Sequence, residues 1–169
     1  MRTLTTGNPP SVPALVLPAA NAVTTDLTPR LDWAASTVPA GTTFDSYELL
    51  VDDNADFSSP EISVSTVGVA ASEFTPATDL AANSKYYWRV RSLNTAGDAS
   101  AWSVVRYFLT AMTPPVLSAP ADGFNVQNRR PTFDWIDATG ATGYTLQASK
   151  VATFATIVLT GTVTTPTST

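Results

Sequence analysis

Two residue types are missing outright from the 169-residue chain: there is no cysteine and no histidine. Without cysteine there is no disulfide, no thiol nucleophile and no thiolate metal ligand. Without histidine the commonest general base and the commonest zinc or copper ligand are gone, so the many serines and threonines have no partner for a familiar triad. Charge is also scarce, with Asp, Glu, Lys and Arg making up 14% of the residues and a net charge of −5. The basic residues are scattered apart from Arg129-Arg130. A nucleic-acid binder carries a basic stripe, so no nucleic-acid partner is expected. No apolar run is long enough to span a bilayer, and Met1 to Pro10 lack the apolar core of a secretory signal. There is no Gly-rich phosphate loop and no N-glycosylation sequon. No cofactor is expected and no enzyme is read from these residues.

What is present is apolar residues, at 44%, and proline, at 13 residues. This mixture suits a real core built from short strands and many turns. The chain also repeats itself. Pro29-Arg30-Leu31-Asp32-Trp33 returns as Pro131-Thr132-Phe133-Asp134-Trp135, and Pro13 and Pro18 return as Pro115 and Pro120, all 102 residues on. Tyr47 and Phe57 return as Tyr144 and Phe154, 97 residues on. The change of offset falls in a Gly/Pro/Thr-rich loop between the tryptophan and the tyrosine, where length changes are tolerated.

A unit of this length fits one sandwich domain. Strands are expected near residues 14–17, 29–35, 45–52, 60–66, 72–75, 85–93 and 102–109. Seven short strands separated by turn signals, with no helical period, indicate an all-β fold. Period-two alternation turns Leu31, Trp33, Tyr47, Leu49, Val51, Phe74, Tyr86, Trp88 and Val90 inward. Phe108 also faces in, unless a bulge shifts the register of the last strand. The central feature is Leu80 six residues ahead of Tyr86, followed by Tyr87-Trp88-Arg89-Val90-Arg91.

Taken together, Pro-x-Leu-x-Trp, the Leu80–Tyr86 spacing, Tyr87-Trp88-Arg89-Val90-Arg91, Asn94-Thr95-Ala96-Gly97 and Ala101-Trp102-Ser103 resemble a fibronectin type III domain. The closest flavour is the kind found in tandem on bacterial surface and secreted proteins. The resemblance implies an immunoglobulin-like β-sandwich of seven strands, with Tyr86 closing a corner. The expected core includes Trp33, Tyr47, Leu80, Tyr86, Trp88 and, in the second copy, Trp135. The expected organisation is a linker or the tail of a preceding repeat at 1–12, a whole domain at 13–111 and a truncated second copy at 112–169. The second copy holds strands A to C′ only and has no counterpart of Leu80, Tyr86, Trp88 or Phe108. Arg2 to Thr6 is similar to Arg106 to Thr110, which suggests a window cut from a longer array.

Three constellations bear on function. Asp52, Asn54 and Asp56 match the opening of a calcium loop, but Phe57 stands at its glycine position and Ser63 at its glutamate position. A hairpin turn is the better reading, with calcium a weak alternative. Trp102 with Arg89 and Arg91 suits a structural cation–π ladder. The alternative is a sugar-stacking platform of Trp102, Tyr87 and Tyr107. Asp32 and Asp134 precede the tryptophans of separate copies and read as solvated strand residues rather than an acid–base pair. The loop Asn94–Ser100 lacks Arg-Gly-Asp and reads as a turn with Gly97 at positive φ.

The expectation is a non-catalytic spacer or adhesion unit of an extracellular or cell-surface protein, with a protein or polysaccharide partner. A carbohydrate-binding accessory module is the first alternative. The second is a self-assembling subunit, a homo-oligomer in which the truncated copy is completed by a strand from another chain.

Overall fold

The computed structural model describes residues 7–67, 72–127 and 129–164. All its regular elements are β-strands, and the chain divides into two compact units, Met1–Ala111 and Met112–Thr169. Residues 2–6, whose likeness to residues 106–110 suggests a preceding repeat, lie outside the described residues.

The first unit contains β1 (Ala14–Leu17), β2 (Val23–Thr24), β3 (Leu31–Ala34), β4 (Phe44–Asp52), β5 (Ile62–Val67), β6 (Glu73–Phe74), β7 (Lys85–Asn94) and β8 (Arg106–Thr110). They form two sheets, β1-β3-β6 and β2-β8-β7-β4-β5. This is an immunoglobulin-like sandwich. Leu15, Leu31 and Trp33 from the smaller sheet meet Tyr47, Leu49, Val51, Tyr86, Trp88, Val90 and Phe108 from the larger. Each large side chain buried this way contributes roughly 1.5–3 kcal/mol. Trp33 packs edge-on to Tyr47 at 5.2 Å, and the Tyr47 hydroxyl accepts the Ser36 N–H at 2.8 Å.

The corner before β7 is closed by polar groups. The Tyr86 hydroxyl accepts the Ala81 N–H at 3.0 Å. The Thr110 hydroxyl donates to the Ala81 carbonyl at 2.6 Å and accepts the Ser84 N–H at 3.0 Å. Leu80 is buried beneath and donates its N–H to the Leu27 carbonyl.

Three strand expectations are corrected. Eight strands, not seven, occur among the described residues, because the chain leaves the smaller sheet after β1 and adds β2 parallel to β8. The Arg106 guanidinium holds that crossover by donating to the carbonyls of Leu15, Val16 and Pro18. The second expected strand narrows from 29–35 to Leu31–Ala34. The last begins at Arg106, not at 102. Before it, Ser100 and Ser103 bond to Ser92 and Val90 of β7 through both backbone and hydroxyl. Ala101 and Trp102 are therefore spread opposite Arg91, which is a bulge. Phe108 is fully buried.

Residues 8–11, expected to be linker or tail, are tied to the first unit. The Asn8 carbonyl accepts from Asn94, and the Ser11 carbonyl accepts from the Ser92 hydroxyl. Ser11 also exchanges bonds with Thr37.

The second unit contains β9 (Val116–Ala119), β10 (Asp134–Ile136), β11 (Gly143–Ser149) and β12 (Ile157–Thr164), paired as β9-β10 and β11-β12. It reuses first-unit devices. Trp135 packs on Tyr144 at 5.3 Å, and the Tyr144 hydroxyl accepts the Ala138 N–H at 2.8 Å. Phe57 and Phe154 both sit at positive φ, 57° and 53°. Trp135 is buried, but Leu117 is 74% and Ile136 63% exposed.

Tyr86→Phe should remove one hydrogen bond and cost about 1 kcal/mol, whereas Trp88→Ala should cost about 3–5 kcal/mol by opening a core cavity. Urea denaturation of the two variants, followed by tryptophan fluorescence and circular dichroism, checks the ranking.

Candidate functional site

Alternation along β7 sends Lys85, Tyr87, Arg89 and Arg91 to the outer face of the larger sheet while Tyr86, Trp88 and Val90 fill the core. The bulge before β8 places Trp102 beside those arginines. The Arg89 and Arg91 guanidiniums lie 4.5 and 4.6 Å from the indole centroid. Arg89 also lies 4.2 Å from the Phe57 ring, and Arg91 pairs with Glu48 at 2.5 Å. The result is a continuous stack, Phe57–Arg89–Trp102–Arg91–Glu48. Each cation–π contact at such a half-exposed place contributes about 0.5–1 kcal/mol. The half-exposed ion pair adds little, because water screens it.

Phe57 is the member the sequence reading missed. It is nearly buried and holds a left-handed backbone (φ 57°) that a bulky residue adopts only when its surroundings enforce it. The enforcing group is Asp52. Its carboxylate is fully buried and accepts the N–H groups of Asn54 at 2.8 Å and Ser59 at 3.1 Å, folding the intervening loop back over the sheet. Burial pushes the Asp52 carboxyl up, but these backbone donors, with the Asp53 and Asn54 side chains, outweigh it and hold it below 3.8.

The calcium candidates are spent differently from a cation loop. Asp52 organises the turn, and Asp56 accepts the Ser58 N–H. Among the described residues, the acids whose oxygens converge within 4.8 Å are Asp52, Asp53 and Glu61. Glu61 already accepts the Asp53 N–H and Asp53 accepts from the Asn54 amide.

Tyr87 and Tyr107 lie side by side on the same face, ring centroids 5.7 Å apart. The Lys85 ammonium sits 4.7 Å from the Tyr107 centroid and 5.9 Å from that of Tyr87. Of the three aromatic residues expected as a platform, Trp102 is stacked by two arginines and the tyrosine pair stands with Lys85. Asp32 is bridged by Arg30, which also reaches Glu73. Asp134 accepts from Ser118.

The loop after β7 is a clamp. Asn94 is 1% exposed and uses its whole amide: Oδ1 accepts from Ala96 and Asp98, and Nδ2 donates to Asn8 and Asp98. Gly97 supplies the positive φ of 84° that the turn needs. The Asn8 N–H and the Asn94 amide hold the Asp98 carboxyl below its ordinary value, against a smaller opposing effect of burial.

Comparison with known proteins decides the family. The family model described as the Rha78A-like N-terminal immunoglobulin domain matches residues 19–114. The chain belongs to this family. The match specifies an immunoglobulin-like domain, and the likeness to fibronectin type III holds at the level of the sandwich. No curated protein matches the chain. Among solved structures, it is similar to the Streptomyces avermitilis alpha-L-rhamnosidase complexed with L-rhamnose, with a TM-score of 0.50 and 24% identity. That match covers 66% of this chain and 12% of the rhamnosidase, so the likeness shows the fold alone. Two further similarities are to the alpha-L-rhamnosidase from Dictyoglumus thermophilum and to the FN1-FN3 domains of chicken CNTN1. The first has a TM-score of 0.45 and 14% identity, covering 65% of this chain and 14% of that one. The second has a TM-score of 0.44 and 14% identity, covering 95% and 56%. The chain therefore spans less than a sixth of the length of the two rhamnosidases.

Because Asp52 and Asp98 have folded pKa values below the ordinary 3.8, the stability they contribute is present above that value and is lost as pH falls through their folded pKa. Urea midpoints should hold steady near neutrality and drop from about pH 4 downward. Asp52→Asn should lower the neutral-pH midpoint and flatten part of that acid limb.

Proposed function

We propose that this chain is a non-catalytic accessory module, a spacer or interaction unit attached to a larger exported protein, working outside the cell. The observation that carries the reading is the family match over residues 19–114, to a domain described as N-terminal. The domain's relatives by fold include two alpha-L-rhamnosidases many times its length. The chemistry of the surface supports it. The chain has neither cysteine nor histidine. The converging acids of the first unit are engaged in turn hydrogen bonds. The indole of Trp102 is stacked by two arginines rather than left free for a ligand. A domain of this kind holds neighbouring parts at a fixed spacing, and the clamp of Asn94 and Asp98 on Asn8 helps to hold the segment that enters it.

A carbohydrate-binding role is the second reading, and one observation favours it: Tyr87 and Tyr107 stand together on the outer face with an ammonium beside them. Such a face would stack on a sugar ring.

Two assays on the whole chain separate the readings. The spacer reading expects no release of nitrophenol from an aryl α-L-rhamnoside, and no binding of L-rhamnose or of plant and bacterial polysaccharides by calorimetry or pull-down. Polysaccharide binding that disappears in Tyr87→Ala/Tyr107→Ala, with the circular dichroism spectrum unchanged, would replace the spacer reading with the carbohydrate-binding one.

A further inference from the structure

The cations of the first unit are unevenly satisfied. Among its described residues, Arg30 pairs with Asp32 and Glu73, Arg91 pairs with Glu48, and Arg106 is spent on three carbonyls. Lys85 and Arg89 have neither a carboxylate nor a hydrogen-bond acceptor among the described residues. Both project from the outer face of β7. They stand four residues apart, about 14 Å at about 3.4 Å per residue. Tyr87 lies midway between them, with Tyr107 opposite it on β8.

This uncompensated positive charge belongs to an acidic unit, since residues 1–111 hold eleven acids against six bases. The acids that β4 places on the same face are already engaged. Glu48 holds Arg91. Asp52, opposite Tyr87, is fully buried and accepts the Asn54 and Ser59 N–H groups. Arg89 is also held ready. Its guanidinium lies between the Phe57 and Trp102 rings. Its Nε is buried in the stack without an acceptor, and the side chain as a whole is half-exposed, so its terminal nitrogens are the ones a ligand can reach. A side chain fixed in this way loses little freedom on binding.

We propose that this face binds an extended acidic segment of a partner protein. Two carboxylates four residues apart meet Lys85 and Arg89, and an apolar residue midway between them packs on Tyr87 and Tyr107. An extended chain repeats its same-face side chains at the spacing of β7 itself, so the two cations and the two acids match in register. The guanidinium suits a carboxylate in particular, because its N–H groups fit the two oxygens. The two tyrosine rings are tilted by 55° to each other, which cups a side chain better than it presents one plane to a sugar ring. The inference rests on the interaction-unit reading and supplies its class of partner.

Fluorescence anisotropy of the whole chain with the labelled peptide Gly-Glu-Ser-Leu-Ser-Glu-Gly tests this. The expected result is saturable binding that weakens with added salt. Arg89→Gln and Lys85→Glu should each weaken it about tenfold, with the circular dichroism spectrum unchanged. Lys85→Glu should in turn prefer a peptide in which one glutamate is replaced by lysine, a reversal that a merely structural Lys85 would not produce. A peptide with its two glutamates adjacent should bind more weakly than the first. Absence of binding at low salt overturns the proposal. So does binding indifferent to both variants, or equal affinity for the adjacent-acid peptide. Binding of oligogalacturonate in place of the peptide, lost in the same variants, would also overturn it and assign the face to the carbohydrate reading. A chain that binds neither probe overturns this inference while leaving the spacer reading intact.

Discussion

The structure hangs on the double pairing of β7. This strand is hydrogen-bonded to β4 along one edge and to β8 along the other, and both its faces are used. Its inner face delivers Tyr86, Trp88 and Val90 to the core, all 4% exposed or less. Its outer face delivers Arg89 and Arg91 to Trp102. The corner at its start, the serine-bonded bulge beside it and the clamp at its end all take their positions from it. A single ten-residue strand thus couples the hydrophobic interior, which dominates stability, to the surface stack and to the segment entering the domain.

Much of the fold was readable in the amino-acid order because it rests on local periodicity. Trp88 and Val90 alternate with Arg89 and Arg91, and that pattern alone assigns the two faces. The Leu80–Tyr86 spacing likewise announced the corner. What was not readable depends on distant groups. Phe57 stands in a run of turn formers, and only the Asp52 carboxylate, by gathering the N–H groups of Asn54 and Ser59, folds its ring onto Arg89. Arg106 looked like an ordinary strand residue, yet its guanidinium holds the carbonyls of Leu15, Val16 and Pro18 where the chain changes sheets. The early residues of the last expected strand were misassigned because Ser100 and Ser103 use their hydroxyls as well as their backbone on β7. No propensity reports that substitution. The same limits apply to the candidate site: the arginines and Trp102 could be grouped in advance, but the contact of Phe57 with Arg89 could not.

Among the described residues, the second unit pairs β9 with β10 and β11 with β12. Trp135 and Tyr144 reproduce the contact of Trp33 and Tyr47 and the hydroxyl bond beside it. Yet Leu117 and Ile136 stay largely exposed. The tryptophan–tyrosine pair is a local device, formed wherever the two strands meet. A closed core requires the far side of the sheet to be paired as well.

Amide hydrogen exchange across the whole chain tests that dependence most directly. The amides of Glu48 and Leu50, facing β7, and of Val90 and Ser92, bonded to the Ser103 and Ser100 hydroxyls, should exchange orders of magnitude more slowly than those of Thr145 and Gln147, since protection follows the cooperative pairing around each amide. Equal protection of the β4 and β11 amides would contradict the central place given to β7.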